Sequence, residues 1–331
     1  MAKVLVTGGA GYIGSVCSAE LLRQGHAVTV VDDLSTGFRD AVPSGASFVK
    51  MEIGEANKMY ALATEQRFDA TFHFAAKALI PESVVDPGIF FQRNVASGIE
   101  MLEALRVAGV KKFVFSSAAA VYGVTGTGPV DEDASKKPLN SYGETKLIFE
   151  QILKWYASAY GWSVFAFRYF SAAGATREQG ERHEPETHLI PLVLDAAAGH
   201  RECFHIYGDD YETPDGTCLR DFVHVSDIAN AHILALTHMG NPGFHCYNIG
   251  TGTPYSVRQI VGEVERLTGK KIQAQVASRR PGDPGTLYAS PRRIMNELGW
   301  RPKHSSLQEI VQSAWRWKQK QRAISAAAAS R

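Results

Sequence analysis

The stretch from Val4 to Ser15, "VLVTGGAGYIGS", constrains the fold more than any other in the chain. An apolar β-type run passes into glycines and then into a helical pattern, "SVCSAELLRQ". Gly9, Gly11 and Gly14 satisfy G-x-G-x-x-G, and Gly8, Gly11 and Gly14 the wider G-x-x-G-x-x-G. Such glycines permit a tight turn and close backbone approach, while the helix N-terminus offers N–H donors and a positive dipole end to a pyrophosphate. The next β run, "AVTVVDD", ends at Asp32, about twenty residues on. A carboxylate there accepts hydrogen bonds from both ribose hydroxyls and repels a 2′-phosphate. The expected dinucleotide is therefore NAD rather than NADP.

The runs "KVLVTG", "AVTVVD", "SFVKME", "ATFHFAA", "KKFVFSS" and "SVFAFRYF" alternate with helix-like segments. That order implies a parallel sheet with helices on both faces. The expected class is α/β, a Rossmann-type doubly wound parallel sheet with a smaller α/β substrate-binding lobe. After Ser171 the character shifts to the polar stretch "AAGATREQGERHEPETH", and "GDDYETPDGTC" and "RRPGDPG" mark two further long loops. Residues 1–170 are assigned to the NAD-binding domain, with 221–250 returning to it. Residues 171–220 and 251–331 form the substrate lobe.

With 331 residues, 45% of them hydrophobic, the chain can bury one large core or two joined ones. Its 35 Lys plus Arg against 34 Asp plus Glu create no broad field for nucleic acid or an anionic membrane. No apolar run reaches the roughly 18 residues of a membrane span. The first strand begins at Lys3, which leaves no room for a signal peptide. Cys17, Cys203, Cys218 and Cys246 are far apart and form no C-x-x-C, as expected of a reduced cytoplasmic protein. His183 and His188 fall on a loop without the H-E-x-x-H pattern or a Cys/His cluster, so no metal is expected. His224 is expected to be a buried structural residue.

Tyr142 and Lys146 stand four apart in "SYGETKLIFEQILKWYASAYG", whose apolar spacing predicts one long helix with both side chains on one face. A phenol titrates near 10. A neighbouring ammonium and a nicotinamide cation favour the phenolate, which makes Tyr142 a usable base. Arg220 in "TCLRDF" and Arg280 in "SRRPGD" suit a diphosphate, since guanidinium forks match phosphate oxygens.

From residue 3 to about 318 the chain carries, in order, "GGAGYIGS", "VDDLSTG", "HFAA", "SYGETK", "RYFSAAGA", "ETHLIP", "YGDDYETPDGTCLRDFVHVSD", "YNIGTG" and "RRPGD". On these motifs it resembles the UDP-glucose 4-epimerases (UDP-galactose 4-epimerases) of the extended short-chain dehydrogenase/reductase superfamily. The resemblance implies an isomerase in which Tyr142 takes the proton of the sugar 4-hydroxyl while hydride leaves C4 for NAD. The 4-keto sugar turns and receives the hydride back on its other face. It implies UDP-glucose and UDP-galactose as partners, and a homodimer paired through the helices around 90–108 and 144–160. For the cofactor it implies Gly8, Gly11, Tyr12, Ile13 and Gly14, then Asp32, Asp33, Ser35, Thr36 and Gly37. Glu52, Ile53, Phe74, Ala75, Ala76, Asn94, Ser116 and Tyr169 follow, with Tyr142 and Lys146. For the nucleotide sugar it implies Ser171, Leu189, Tyr207 by the uracil, Arg220, Arg280, Asp283 on the ribose and Leu287.

Several positions depart from the family pattern. Ala118 stands where a Ser or Thr usually relays the proton to tyrosine. Ser117 points to the other face of its strand, and Ser116 lies on the same face about 6.5 Å back. A lost relay reduces turnover by roughly 10²- to 10⁴-fold. A substitution made to trap a ligand, a water in the methyl-sized gap, or direct reach by Tyr142 would each account for it. Ala119 and Ala120 lack the acid pair of the related 4,6-dehydratases, so elimination is not expected. Ser171 replaces an asparagine, Glu52 an aspartate, and Lys77 sits one residue before a usual lysine, a place filled by Ala78. Leu287 is intermediate between the tyrosine of hexose-only members and the small residue of those that take N-acetylhexosamines. UDP-N-acetylglucosamine or a UDP-pentose therefore stays open as substrate, as do net oxidation and a catalytically inactive NAD and UDP-sugar binding protein.

Overall fold

The computed structural model describes residues 1–280 and 283–329; Pro281 and Gly282 of the "RRPGD" motif lie outside the described residues. The first part of the chain alternates as its sequence requires. It runs β1 (Lys3–Thr7), α1 (Tyr12–Arg23), β2 (Ala27–Asp32), β3 (Ser47–Lys50), α2 (Ala56–Gln66) and β4 (Ala70–His73). Then come α3 (Ile80–Val85), α4 (Pro87–Phe91), α5 (Ser97–Val107), β5 (Lys112–Ala118), α6 (Ser141–Tyr160) and β6 (Ser163–Tyr169). The rest is β7 (Ser171–Ala173), α7 (Leu189–Ala197), β8 (Phe204–Tyr207), β9 (Leu219–His224), α8 (Val225–His238) and β10 (Gly243–Ile249). It closes with β11 (Pro254–Ser256), α9 (Val257–Thr268), β12 (Ala274–Ala277), β13 (Thr286–Leu287), α10 (Arg292–Glu297) and α11 (Leu307–Ala329).

Seven strands form one all-parallel sheet in the order β10-β6-β5-β4-β1-β2-β3. Period-two alternation sends Val4, Val6, Val28 and Val30 to one face, where Leu21 of α1 and Ile228 of α8 join them. Leu5, Val31, Phe113 and Phe115 go to the other, against Met59, Leu102 and Phe149 of α2, α5 and α6. Both faces being covered, the strands read as nearly continuous apolar runs. Strand order reverses at β1, so a crevice opens between the carboxyl ends of β1 and β4.

The segment 221–250, expected to return to the cofactor domain, is split. β9 is a central strand of a small sheet, pairing with β7, β11 and β13, while α8 packs on α1 and β10 on β6. β12 and β8 pair separately, and a third apolar core of α7, α9 and α11 residues, including Val193, Ile260 and Ile310, supports this lobe.

Candidate active site

The turn after β1 is built without room for side chains. Gly8 has φ +74°, and a Cβ on it would meet Ala75 N at 2.4 Å; one on Gly14 would meet Gly8 O at 2.3 Å. Gly11, the N-cap of α1, brings no capping side chain to the first N–H groups of the helix, which open onto the crevice. Asp32 ends β2 at 8% exposure, its two oxygens accepting from Ala10 N and Leu34 N at 2.9 Å each. Burial raises its pKa above the ordinary value despite these bonds. Asp33 is turned to Ser35, accepting from its N and Oγ. The cradle, with Ala75 and Val31 closing behind the glycines, fits a dinucleotide pyrophosphate, and Asp32 fits its ribose.

This crevice continues into a single cleft of about 1740 Å³, beyond the few hundred to roughly 1,000 Å³ of one small-molecule pocket. Gly8, Gly11, Tyr12, Ile13, Gly14, Asp32, Asp33, Ser35, Thr36 and Gly37 line one end. Glu52, Ile53, Phe74, Ala75, Ala76, Ser116 and Tyr169 line it further along. Asn94 does not. It is buried, donating to Lys77 O and Thr145 Oγ1 and accepting from Lys77 N at 2.8–3.1 Å, so it brackets the "HFAAKA" turn. Lys77 itself is engaged with Glu82 at 3.0 Å. Arg93, which the sequence reading missed, also lines the cleft and pairs with Glu52 at 2.5 Å.

Tyr142 lies in the first turn of α6, which Asn140 caps by accepting from Gly143 N at 2.9 Å. One turn on, Lys146 is 3% exposed; its Nζ donates to Ser116 O at 2.7 Å and lies 5.7 Å from the Tyr142 ring centroid. Burial lowers Lys146 to about 7, partly opposed by Glu150, and raises Tyr142 to about 12. The expected help from the ammonium is thus outweighed by desolvation in the protein alone. A cationic ring beside the phenol is needed to bring it down.

Ala118 closes β5, facing the cleft at 8% exposure. Ser117 cannot stand in for a hydroxyl there, because its Oγ donates to Glu150 Oε1 at 2.6 Å, and Glu150 holds Arg168 in a buried ion pair at 2.6 Å. Arg168 also donates to Tyr122 Oη and Glu132 O, and Tyr122 to Asn248 Oδ1. Behind Ser116, Tyr169 Oη lies 2.6 Å from His232 Nε2. His232 Nδ1 must donate to Ile228 O, a pure acceptor at 2.9 Å, so Nε2 accepts and Tyr169 donates to it. The Tyr169 oxygen therefore turns lone pairs toward Ser116 and the cleft.

The opposite wall comes from the small sheets. Ser171, Leu189, Tyr207, Arg220, Arg280, Asp283 and Leu287 all line the cleft. Arg220 pairs with Asp283, and Leu287 stands beside Arg220 across the β9–β13 register. The Arg280 guanidinium lies 3.9 Å from the Tyr207 ring centroid. His224 is buried, accepting from Ser226 N and meeting Ser313 Oγ at 3.0 Å. One cluster of possible donors that the sequence spacing did not suggest lies in the 174–188 loop, where Glu181, His183 and His188 present donor atoms within 4.8 Å of one another. Sequence spacing hid this, since a loop path rather than a helical period brings them together.

The NAD dependent epimerase/dehydratase family matches residues 4–250. A UDP-glucose 4-epimerase of Corynebacterium glutamicum is 46% identical over 313 residues, 95% of this chain and 94% of its own. The structure of the Brucella ovis UDP-glucose 4-epimerase in complex with NAD superposes with a TM-score of 0.92 at 43% identity, covering 95% of this chain and 98% of that one. The Stenotrophomonas maltophila UDP-glucose 4-epimerase, with bound NAD and formylated UDP-arabinopyranose, does so at 0.94 and 37%, covering 99% and 100%. Family match, near full-length identity and a shared Rossmann fold agree with the cradle and the Tyr142–Lys146 pair, and the chain belongs to the NAD dependent epimerase/dehydratase family, among its UDP-glucose 4-epimerases.

Proposed function

We propose that this chain interconverts UDP-glucose and UDP-galactose by NAD-dependent 4-epimerisation through a transient 4-keto sugar. One observation carries the reading: a single cleft holds the glycine cradle and Tyr142–Lys146 on one wall and Arg220 and Arg280 on the other. The names of the relatives support the same reaction. NAD, when bound, supplies the acceptor and donor of the C4 hydride. Gly8, Gly11 and Gly14 admit its diphosphate, and Asp32 holds the adenosine ribose. Tyr142 takes and returns the proton of the sugar 4-hydroxyl. Lys146, held by Ser116 O, orients beside it and supports the phenolate. Arg220 and Arg280 bind the UDP diphosphate, Tyr207 the uracil, and Asp283 the ribose.

Residues 1–170 with α8 and β10 make the cofactor domain, and the small sheets with α7, α9 and α11 the substrate lobe. Exposed Trp155 on α6 (75%) and Val107 on α5 (60%) support pairing of two copies through those helices. Four free cysteines support a reducing, cytoplasmic setting, and among the described residues no helix is long and apolar enough to cross a membrane.

Ala118 favours a second reading, a protein that binds NAD and UDP-sugar without turnover. Conversion of UDP-galactose to UDP-glucose by this chain and by Ala118→Thr, at equal NAD content, separates the two. A rise of about 10²-fold or more in the variant supports the epimerase with a missing relay. Inactivity of both with UDP-sugar still bound supports the binder, and UDP-N-acetylglucosamine is then the next sugar to offer.

A further inference from the structure

Between β7 and α7 the chain crosses the head of α1 in an irregular loop pinned at three places. Tyr12 Oη donates to Gly174 O at 2.5 Å, Trp317 Nε1 to Glu181 O at 3.0 Å, and Arg182 pairs with Asp40 through two 3.0 Å bonds. Glu181, His183 and His188 converge within this loop, their ring centroids 5.1 Å apart for the two histidines. Arg182 N and His183 N donate to Glu181 Oε1 at 2.9 and 3.1 Å and fix the carboxylate. Its Oε2 lies 3.8 Å from His188 Nδ1. His183 Nδ1 is pressed against Glu181 Oε1, yet this buried nitrogen has no partner in hydrogen-bond geometry. Glu186 Oε1 meets His188 Nδ1 at 2.8 Å and also accepts from Thr187 N and His188 N.

Two imidazoles and a carboxylate are the donor set of a zinc-class cation, and a second carboxylate behind a ligating imidazole is the usual outer support of such sites. Charge points the same way. Among the described residues neither Glu181 nor Glu186 is paired with a lysine or arginine; their ion-pair partners are His183 and His188 alone. Two acids and two imidazoles held together without a fixed cation are balanced by one divalent ion.

We propose that Glu181, His183 and His188 form a binding site for a divalent cation of the zinc class, with Glu186 orienting His188. The residues line the cleft beside Gly11 and Tyr12, so a fourth position is open to water. The site ties the crossing loop to itself next to the cofactor end of the cleft.

The test uses the protein carrying its NAD, stripped with a chelator and titrated with Co²⁺, then Zn²⁺. The expected result is one equivalent of Co²⁺ with intense visible d–d bands, displaced by Zn²⁺. The double variant His183→Gln/His188→Gln should lose stoichiometric uptake, and Glu186→Gln should weaken it by about 10- to 10²-fold. His200→Gln and His304→Gln, which alter the other histidine–carboxylate pairs, should titrate as the parent does. Absence of stoichiometric Co²⁺ and Zn²⁺ uptake by the parent protein overturns the proposal, whatever the variants do. So does a double variant that keeps its NAD and still binds one equivalent.

Discussion

The two walls of the cleft are held by different means. On the cofactor wall the key groups are buried and bonded to backbone: Asp32 to two N–H groups, Lys146 to Ser116 O, and the glycines against Ala75 and Val31. On the nucleotide wall the side chains hold one another. Arg220 is paired with Asp283, whose side chain is 35% exposed, and exposed Arg280 stacks on Tyr207, itself 38% exposed. A backbone-held site is shaped before its ligand arrives. A wall of mutually satisfied side chains must exchange partners to bind, so affinity there is a difference between two sets of contacts.

Tyr142→Phe gives the largest expected effect, a loss of about 10²- to 10⁴-fold in turnover with NAD content unchanged, measured by UDP-galactose conversion. If NAD is lost as well, the cofactor wall depends on this side chain and is not held by backbone contacts alone. Gly14→Ala comes next, since its methyl would lie 2.3 Å from Gly8 O. Overpacking there should destabilise by about 3 kcal/mol or more and deplete NAD, read by thermal melting and cofactor absorbance. Arg220→Met should weaken UDP binding by about 10- to 10²-fold in calorimetry, the worth of a charge-assisted hydrogen bond, and leave NAD in place.

A further effect concerns acid. Burial holds His73 at about 3 and His224 and His232 at about 4, all below the ordinary 6.5. Under pH 6.5 the unfolded chain takes up protons that the folded chain refuses. Stability is therefore full above 6.5 and falls as pH drops toward the folded values, by about 1.4 kcal/mol per pH unit for each group. The urea midpoint should decline between pH 6.5 and 5; a flat midpoint would show these rings to be solvated.

Much of the cofactor wall was legible because its signals are local. A turn, a strand end and a one-turn helical spacing each fix geometry within a few residues, which is why Gly8, Gly14, Asp32, Tyr142 and Lys146 lie where their motifs imply. The hydrogen bonds of the Asn94 amide to Lys77 and Thr145 were not legible, because nothing near it in sequence reveals those partners. The Ser117–Glu150–Arg168 cluster depends on β5–β6 register, which opposes Ser117 to Arg168. Glu181, His183 and His188 meet through an irregular loop, where no period predicts neighbours. The raised pKa of Tyr142 needed burial, a quantity spacing does not carry.

The large sheet is finished late. β10 docks on β6 only after the chain has left to build β7, α7, β8, β9 and α8. During synthesis β6, "SVFAFRY", is therefore an open sheet edge until residue 249 is free, roughly 4–15 s at ribosomal rates. An apolar edge with unpaired N–H and C=O groups is what chaperones and sticky neighbours bind. The nascent chain is most vulnerable in that interval, and a stall between residues 170 and 243 should leave it unable to release as a soluble fragment.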